Sequence, residues 1–286
     1  MNRAGRMGRS VACVLMMICL GGCQGNSSSG DSAGSTFITE REEEENTAAG
    51  QTDTAQGEET MQTEFKNPIE SIHQDAWYDY GTGDPYVMRY NGKYYLYMST
   101  RDTETGIKCF SSKDLVMWNY EGLCAEEEVT KGAYAPEVVY YNGKFYMYTS
   151  PAGNGHYVLS SGSPTGPFRK ISDNLGFSID GSVFIDHDGK WYFYHADDSG
   201  IIAHEMTAPD EISVVRLRVN AYMDGWTEGP MVIWHDGNYY LTYTGNHVLS
   251  EGYRINYGVG DSPVKFVPGG NNPVALPAGW QKDTTR

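Results

Sequence analysis

The stretch Gly83–Thr100, GDPYVMRYNGKYYLYMST, decides the fold. It contains an acidic turn, a short strand, an Asn-Gly turn and a second, aromatic strand. Asn-Gly supplies the positive φ angles that a two-residue turn needs between antiparallel strands. The stretch therefore predicts a β-hairpin.

The same unit recurs three more times, with Asn-Gly or Asp-Gly at each predicted turn. The turn glycines Gly92, Gly143, Gly189 and Gly237 are spaced by 51, 46 and 48 residues. Periods of this length are typical of propellers and other repeat folds. A third strand candidate and a weaker fourth follow each hairpin, the third at residues 106–112, 156–161, 201–206 and 253–260. Four strands per repeat is the composition of a propeller blade, so we predict an all-β protein with four blades.

The second strands of the hairpins support this architecture. They read YYLYMS, FYMYTS, WYFYHA and YYLTYT, and they are apolar or aromatic on both faces. A sheet with one face in water would alternate between apolar and polar residues. We therefore expect both faces of each blade to be covered by neighbouring blades.

Composition limits the function classes. The chain has 286 residues and is 40% hydrophobic and 13% aromatic, which is ample for a core. Its net charge of −16 argues against a nucleic acid partner, because phosphate binding needs a basic surface. An acidic domain fits a neutral substrate.

The first residues predict export. Met1–Cys23 has a basic start, a short apolar run and Leu-Gly-Gly before Cys23, which resembles a bacterial lipobox. An ordinary secretory signal, or a chance apolar start, is the alternative. We predict a lipoprotein signal peptide over residues 1–23, with the protein anchored at the bacterial cell surface by lipid on Cys23.

The remaining chain divides into two parts. Residues 24–64 are rich in Ser, Gly, Thr and Glu and predict a disordered acidic linker. Residues 65–286 predict the propeller domain, where Cys109 and Cys124 either pair across neighbouring strands or are small buried hydrophobes. The stretch 269–286 has no further hairpin unit, so a five-bladed ring would lack its last blade.

Three acids occupy related positions in different blades. Eight or nine residues before each turn glycine stand Asp84, Ala135, Asp180 and Glu228. Acids followed by Pro or Gly are common turn residues, which would explain any one of them. The first strands of the blades line the channel of a propeller, so equivalent positions lie at a similar height around it. Three acids at such positions therefore predict a functional site in the channel rather than three unrelated turns.

Two carboxyl groups in different environments can hydrolyse a glycosidic bond. One activates a water molecule as a carboxylate, and the other donates a proton to the leaving oxygen. Asp84 and Glu228 are expected to face each other across the channel, which favours the inverting geometry with carboxyls about 6.5–9.5 Å apart. A charge on Asp180, one blade away from Glu228, is expected to keep the acid protonated.

At these motifs the chain resembles glycoside hydrolase family 43, whose members are five-bladed propellers. The resemblance covers residues 84–268 and lies in the motifs Asp84-Pro85, Tyr134-Ala135-Pro136-Glu137, Ile179-Asp180-Gly181 and Glu228-Gly229-Pro230. It implies that Asp84 is the general base, that Asp180 tunes the acid, and that Glu228 is the general acid. It also implies inverting cleavage of α-L-arabinosyl or β-D-xylosyl linkages.

Three further residues are predicted to bind substrate. Tyr134 stands where the family commonly has an aromatic that lines the sugar pocket, often Trp. Trp226 and Arg254 are sugar contacts or, equally, a core aromatic and a surface cation. No metal site is predicted, because the histidines lack metal-ligand spacing, and no cofactor is predicted to be required. The resemblance leaves room for a central calcium ion, but the fifth-blade histidine that often contacts it is absent.

The sequence therefore predicts an extracellular inverting glycosidase acting on arabinan, arabinoxylan or xylo-oligosaccharides of plant cell walls. A non-catalytic glycan-binding propeller on a lipid-anchored tether is the alternative from another class, and the three acids count against it. Related retaining fructan hydrolases are a second alternative, but they need an Asn-Asp-Pro-Asn type motif where this chain has Gly83-Asp84-Pro85-Tyr86.

Overall fold

The computed structural model describes residues 83–246, 250 and 252–276. The predicted signal peptide with Cys23, the predicted linker and the start of the predicted propeller domain lie outside the described residues. Within them, no helix is long and apolar enough to cross a membrane.

Four antiparallel sheets follow one another along the chain, and each is one blade. Blade one contains β1 (Tyr86–Tyr90), β2 (Lys93–Tyr97), β3 (Ile107–Ser112) and β4 (Asn119–Ala125). Blade two contains β5 (Ala133–Tyr141), β6 (Lys144–Pro151), β7 (Tyr157–Ser161) and β8 (Arg169–Lys170). Blade three contains β9 (Ser182–Ile185), β10 (Trp191–Asp197), β11 (Gly200–Ala208), β12 (Glu211–Ile212) and β13 (Leu217–Arg218). Blade four contains β14 (Thr227–His235), β15 (Asn238–Gly245), β16 (Arg254–Ser262) and β17 (Lys265–Pro268).

These sheets confirm the predicted all-β fold and its four blades. The only helical element in the described part of the chain is a 3-10 turn, Glu128–Thr130. A fifth blade is not present among the described residues, so the five-bladed ring stays a prediction.

The hairpin turns agree with the sequence in three blades. Asn91, Asn142 and Asp236 have φ angles of 47°, 48° and 47°, and each precedes a glycine that also has positive φ. In blade three the predicted two-residue turn is wrong. The Gly189 amide donates to the Asp186 carbonyl, and the Asp186 amide donates to the Lys190 carbonyl, so the loop has one more residue. This longer loop accounts for the extra residue between Asp180 and its turn glycine.

Apolar clusters fill the space between successive blades, which confirms the predicted cover on both faces for blades two and three, whereas blades one and four each have one such neighbour among the described residues. Blades one and two share a cluster that includes Tyr97, Phe145 and Phe168. Another joins blades two and three, and a third joins blades three and four. Cys109 and Cys124 are free thiols buried in the first cluster, so the structure favours the small buried hydrophobe over the disulfide.

The start of each first strand has unusual backbone geometry. The last residue of each first strand that pairs across the hairpin serves as a reference. The residues six positions before it are Asp84, Ala135, Asp180 and Gly229, and their φ angles are 49°, 40°, 60° and 60°. Positive φ is uncommon outside glycine, and such strain concentrates at functional sites. Glu228 therefore stands one residue ahead of the register that we predicted, and the position equivalent to Glu228 in blade two is Tyr134.

Candidate active site

Asp84 is held by Ser99, which lies two residues beyond the end of β2. The Ser99 hydroxyl donates a hydrogen bond of 2.5 Å to Asp84 Oδ2, and the same hydroxyl accepts one of 2.8 Å from the Ala135 amide. Ser99 is buried, whereas Asp84 is exposed. The contacts fix the orientation of one carboxylate oxygen and leave the carboxylate open to solvent, as a base that activates water requires.

Asp180 joins blade three to blade four. Its Oδ2 accepts a hydrogen bond of 2.8 Å from the amide of Gly229, the residue that follows Glu228. Burial, and then the charges of Glu228 and Asp84, raise the pKa of Asp180 to about 8, although the hydrogen bond from the Gly229 amide acts in the opposite direction. The structure thus brings the three predicted acids into one electrostatically coupled cluster. Coupled carboxyls titrate as a unit, so the cluster retains a proton near neutral pH.

Glu228 accepts hydrogen bonds on both carboxylate oxygens. The Trp226 indole N–H donates to Oε2 over 2.7 Å, and the Tyr253 hydroxyl donates to Oε1 over 2.8 Å. Thr244 completes the set, because its hydroxyl lies 3.1 Å from Tyr253 Oη and donates to the Glu228 carbonyl over 3.1 Å. Burial and the Glu228 charge raise the pKa of the Tyr253 phenol, which therefore stays a donor. The carboxyl group of Glu228 is locked in one orientation.

Replacing Tyr253 with phenylalanine is expected to lower kcat about 10-fold, because a hydrogen bond to a charged group contributes about 1.5–3 kcal/mol. The loss should be larger on glycosides with poor leaving groups than on dinitrophenyl glycosides, because the Tyr253 bond orients the carboxyl group of Glu228. Steady-state kinetics on both kinds of substrate would measure the two effects.

Tyr240→Phe is the matched control for this measurement. Tyr240 lies in the same blade, and its ring packs near Tyr257 rather than against the acids. Equal losses on both kinds of substrate in Tyr253→Phe would contradict the role assigned to the phenol.

The other two predicted substrate contacts, Tyr134 and Arg254, have hydrogen-bond partners outside the three acids. Tyr134 donates a hydrogen bond of 2.7 Å to Asp102, and this bond, with burial and the charges of Asp102 and Asp84, raises the pKa of Tyr134 to about 12. Tyr134 is thus close to Asp84. Arg254 donates to the Gly252 carbonyl over 2.9 Å and makes no hydrogen bond with the three acids. Substrate binding by Tyr134, Trp226 and Arg254 stays a prediction.

The described residues do not form a metal site that would fit a central cation. Among them, no three His, Cys, Asp or Glu side chains converge where they could hold a metal ion. We therefore derive no step through a calcium ion.

Three partners of the acids were missed by the sequence analysis, namely Ser99, Thr244 and Tyr253, and so was Asp102, the partner of Tyr134. One signal was available, since a hydroxyl residue is the last residue of the predicted second strand in blades one, two and four, at Ser99, Ser150 and Thr244. Tyr253 carried no such signal, because it reaches Glu228 from beyond the loop that follows β15.

Comparisons with known proteins agree with this geometry. The family model described as Glycosyl hydrolases family 43 matches residues 78–274. A crystal structure described as a thermostable family-43 glycoside hydrolase superposes with a TM-score of 0.62 at 32% identity, covering 68% of this chain and 74% of that one.

Two curated relatives carry names that describe an activity. A xylosidase/arabinosidase of Butyrivibrio fibrisolvens is 26% identical over 187 residues, which are 56% of this chain and 36% of that protein. A non-reducing end alpha-L-arabinofuranosidase BoGH43B of Bacteroides ovatus is 28% identical over 175 residues, which are 55% of this chain and 32% of that protein. The chain thus spans about a third of the length of these relatives.

Proposed function

Because the chain belongs to glycosyl hydrolase family 43, we propose that it is a glycosidase that cleaves α-L-arabinofuranosyl or β-D-xylosyl linkages with inversion. The substrates proposed are arabinan, arabinoxylan and xylo-oligosaccharides of plant cell walls. The names of the relatives, a xylosidase/arabinosidase and an arabinofuranosidase, support this substrate class.

One observation carries the proposal, namely the different environments of Asp84 and Glu228. Asp84 is exposed and held through one oxygen by Ser99. Glu228 is enclosed by Trp226 and Tyr253 and lies beside Asp180, so the two carboxyl groups hold one proton between them near neutral pH. Carboxyl groups in such different surroundings can divide the work of base and acid.

The reaction then follows from these positions. Asp84 removes a proton from a water molecule, which attacks the anomeric carbon from the face opposite the leaving group. Glu228 gives its proton to the glycosidic oxygen as the bond breaks, and the anomeric configuration inverts. Asp180, bound to the Gly229 amide, keeps a second carboxyl beside Glu228 and so favours the protonated acid.

Asp180→Asn is expected to move the alkaline limb of the kcat/KM profile to lower pH by about one to two units. The sign follows from the coupled pair. With the second carboxyl present, the pair loses its last proton only near pH 8, the raised pKa of Asp180. Without the second carboxyl, the site loses this proton at lower pH, and activity declines earlier.

Kinetics between pH 4 and pH 10 would measure this shift, with Asp173→Asn as the control, because Asp173 is an exposed aspartate outside the cluster. An alkaline limb that moves upwards or stays in place would show that Asp180 does not tune the acid.

The proposed function is tested by the anomeric configuration of the first-formed sugar. Proton NMR would follow fresh product from aryl α-L-arabinofuranosides, aryl β-D-xylosides and arabinan. Inversion on a pentoside supports the proposal. Retention would favour the fructan hydrolase type of mechanism, and binding of arabinan without turnover would favour the non-catalytic propeller.

We also propose that the protein is exported and anchored by lipid on Cys23. The short apolar run and the small residues before this cysteine support the proposal. The division into a signal peptide (1–23), a linker (24–64) and a propeller domain (65–286) belongs to the same proposal, as does a five-bladed ring.

A further inference from the structure

Asp180 stands at the start of a strand that has a free edge. The sheet of blade three runs in the order β12, β11, β10, β9, so β9 is its terminal strand on the side of the first strands. Backbone N–H groups two residues apart point to the same side of a strand. The N–H groups of residues 181 and 183, which follow Asp180, both point away from β10 and need acceptors elsewhere.

Two side chains of blade two supply those acceptors. His156 Nε2 accepts a hydrogen bond of 2.8 Å from the Gly181 amide, and Glu137 Oε1 accepts one of 2.7 Å from the Val183 amide. His156 and Glu137 are both buried. Two side chains from one blade thus bind the two successive N–H groups on the free edge of the next.

Gly181 is the residue that permits this approach. A Cβ atom at this position would lie 2.7 Å from His156 Cδ2 and Nε2 and 2.5 Å from Phe193 Cζ. A side chain at this position would force the Phe193 ring, the imidazole or both to move. The Asp180-Gly181 pair therefore combines an acid of the cluster with the close contact that holds it.

Packing alone does not explain a histidine at position 156. Its Nε2 accepts from Gly181, so the neutral ring carries its proton on Nδ1, which is buried without a hydrogen-bond partner in the described part of the chain. A leucine in this apolar setting beside Phe193 would avoid that unsatisfied group. The role of the histidine is explained by its Nε2 atom, which accepts the hydrogen bond from the Gly181 amide.

We propose that His156 and Glu137 are positioning residues that hold Asp180 in place beside Glu228 by accepting the amides of Gly181 and Val183. This role rests on the proposed function, because it assigns to blade two the support of the residue that tunes the acid. The connection runs from blade two to Asp180 and then, through the Gly229 amide, to the backbone next to Glu228.

The protonation of both residues suits this role. Burial, and then the neighbouring His195, lower the pKa of His156 to about 3, so its Nε2 remains an acceptor at working pH. Burial, opposed in part by hydrogen bonds from the Val183 amide and the Ser182 hydroxyl, raises the pKa of Glu137 to about 7. Glu137 accepts through a carboxyl oxygen in either protonation state.

The test compares variants of the full chain that remove the acceptor with variants that keep one. His156→Leu and Glu137→Met remove it, whereas His156→Gln and Glu137→Gln retain an oxygen near the same position. A carbon-13 carboxyl NMR titration follows Asp180 directly, and its signal is identified by its loss in Asp180→Asn. This readout does not depend on activity.

We expect the apparent pKa of Asp180 to fall in the Leu and Met variants, because a displaced Asp180 is less buried and further from Glu228. Their kcat on glycosides with poor leaving groups should fall about 10- to 100-fold, with KM within about twofold. Substrates with dinitrophenolate leaving groups, which need no proton, should lose less than about threefold. The two Gln variants should stay within about threefold of the unmodified chain on both substrates.

An unchanged Asp180 titration in the Leu and Met variants would overturn the proposal, and so would equal losses in the Gln variants or equal losses on both leaving groups. If His156→Leu does not fold, the Glu137 pair decides alone. Absence of activity in the unmodified chain would refute the proposed function, and the NMR titration would still decide the positioning role.

Discussion

Glu228→Ala is expected to lower kcat/KM on xylo- and arabino-oligosaccharides about 10³-fold, within the 10²–10⁴-fold range of general acid catalysis. The same variant should lose less than about 10-fold on aryl pentosides with a dinitrophenolate leaving group. The difference arises because a sugar alkoxide cannot leave without a proton, whereas a nitrophenolate can.

The surroundings of Glu228 explain why no other group would replace it. Trp226 and Tyr253 are directed at its two carboxylate oxygens, and neither is acidic enough to protonate a leaving sugar. Asp180 is engaged by the Gly229 amide and belongs to the same cluster. Removal of Glu228 thus leaves its two hydrogen-bond donors in place but removes the group that protonates the leaving oxygen.

The measurement is a series of aryl pentosides with leaving groups of increasing acidity, assayed with the unmodified chain, Glu228→Ala and Glu205→Ala. Glu205 is an exposed glutamate of blade three and serves as the control. A loss that is the same for every leaving group would indicate that Glu228 supports the fold or binds substrate, and would remove it as the acid.

Most of the fold could be predicted from the sequence because its signals are local. An Asn-Gly pair determines its own turn, and four such hairpins at regular spacing determine four blades. Blade three shows the limit of this reasoning. Asp188-Gly189 has the composition of a two-residue turn, yet the backbone bonds between Asp186 and Gly189 and between Asp186 and Lys190 close a longer loop.

The acids of the site were also found from the repeat, but their exact register was not. Gly229 stands eight residues before its turn glycine, as Asp84 does, whereas Glu228 stands nine residues before it. Asp180 also stands nine residues before its turn glycine, but the longer loop of blade three accounts for that extra residue. Blade four has a two-residue turn, so allowing eight or nine residues placed Glu228 in line with Asp84, where the structure has Gly229.

The partners of the acids could not be predicted, because each contact joins segments that are distant in sequence. Ser99 reaches the Ala135 amide of the next blade, and His156 and Glu137 reach the backbone that follows Asp180. Such contacts depend on how one blade packs against the next. A periodic pattern within a blade contains no information about that packing.

Asp84→Ala is expected to lower turnover about 10⁴-fold or more on every substrate, good leaving groups included, because removal of the base affects the attack of water itself. This lack of leaving-group dependence distinguishes the variant from Glu228→Ala. Ser99 would keep its bond to the Ala135 amide, so the start of blade two should stay in place. Thermal unfolding should therefore change little, which separates loss of chemistry from loss of structure.

The control is Asp261→Asn. Asp261 is an exposed aspartate on β16 of blade four and is not one of the three acids. Both variants would be assayed on dinitrophenyl and natural pentosides, and the configuration of the product would be recorded with the unmodified chain. Two results would contradict the role of Asp84 as base. One is activity of Asp84→Ala within about 10-fold of the unmodified chain on dinitrophenyl substrates, since water activation contributes at least about 10². The other is a covalent glycosyl group on Asp84 trapped with a fluorosugar, because a carboxylate that forms a bond to the sugar is a nucleophile and the reaction then proceeds with retention.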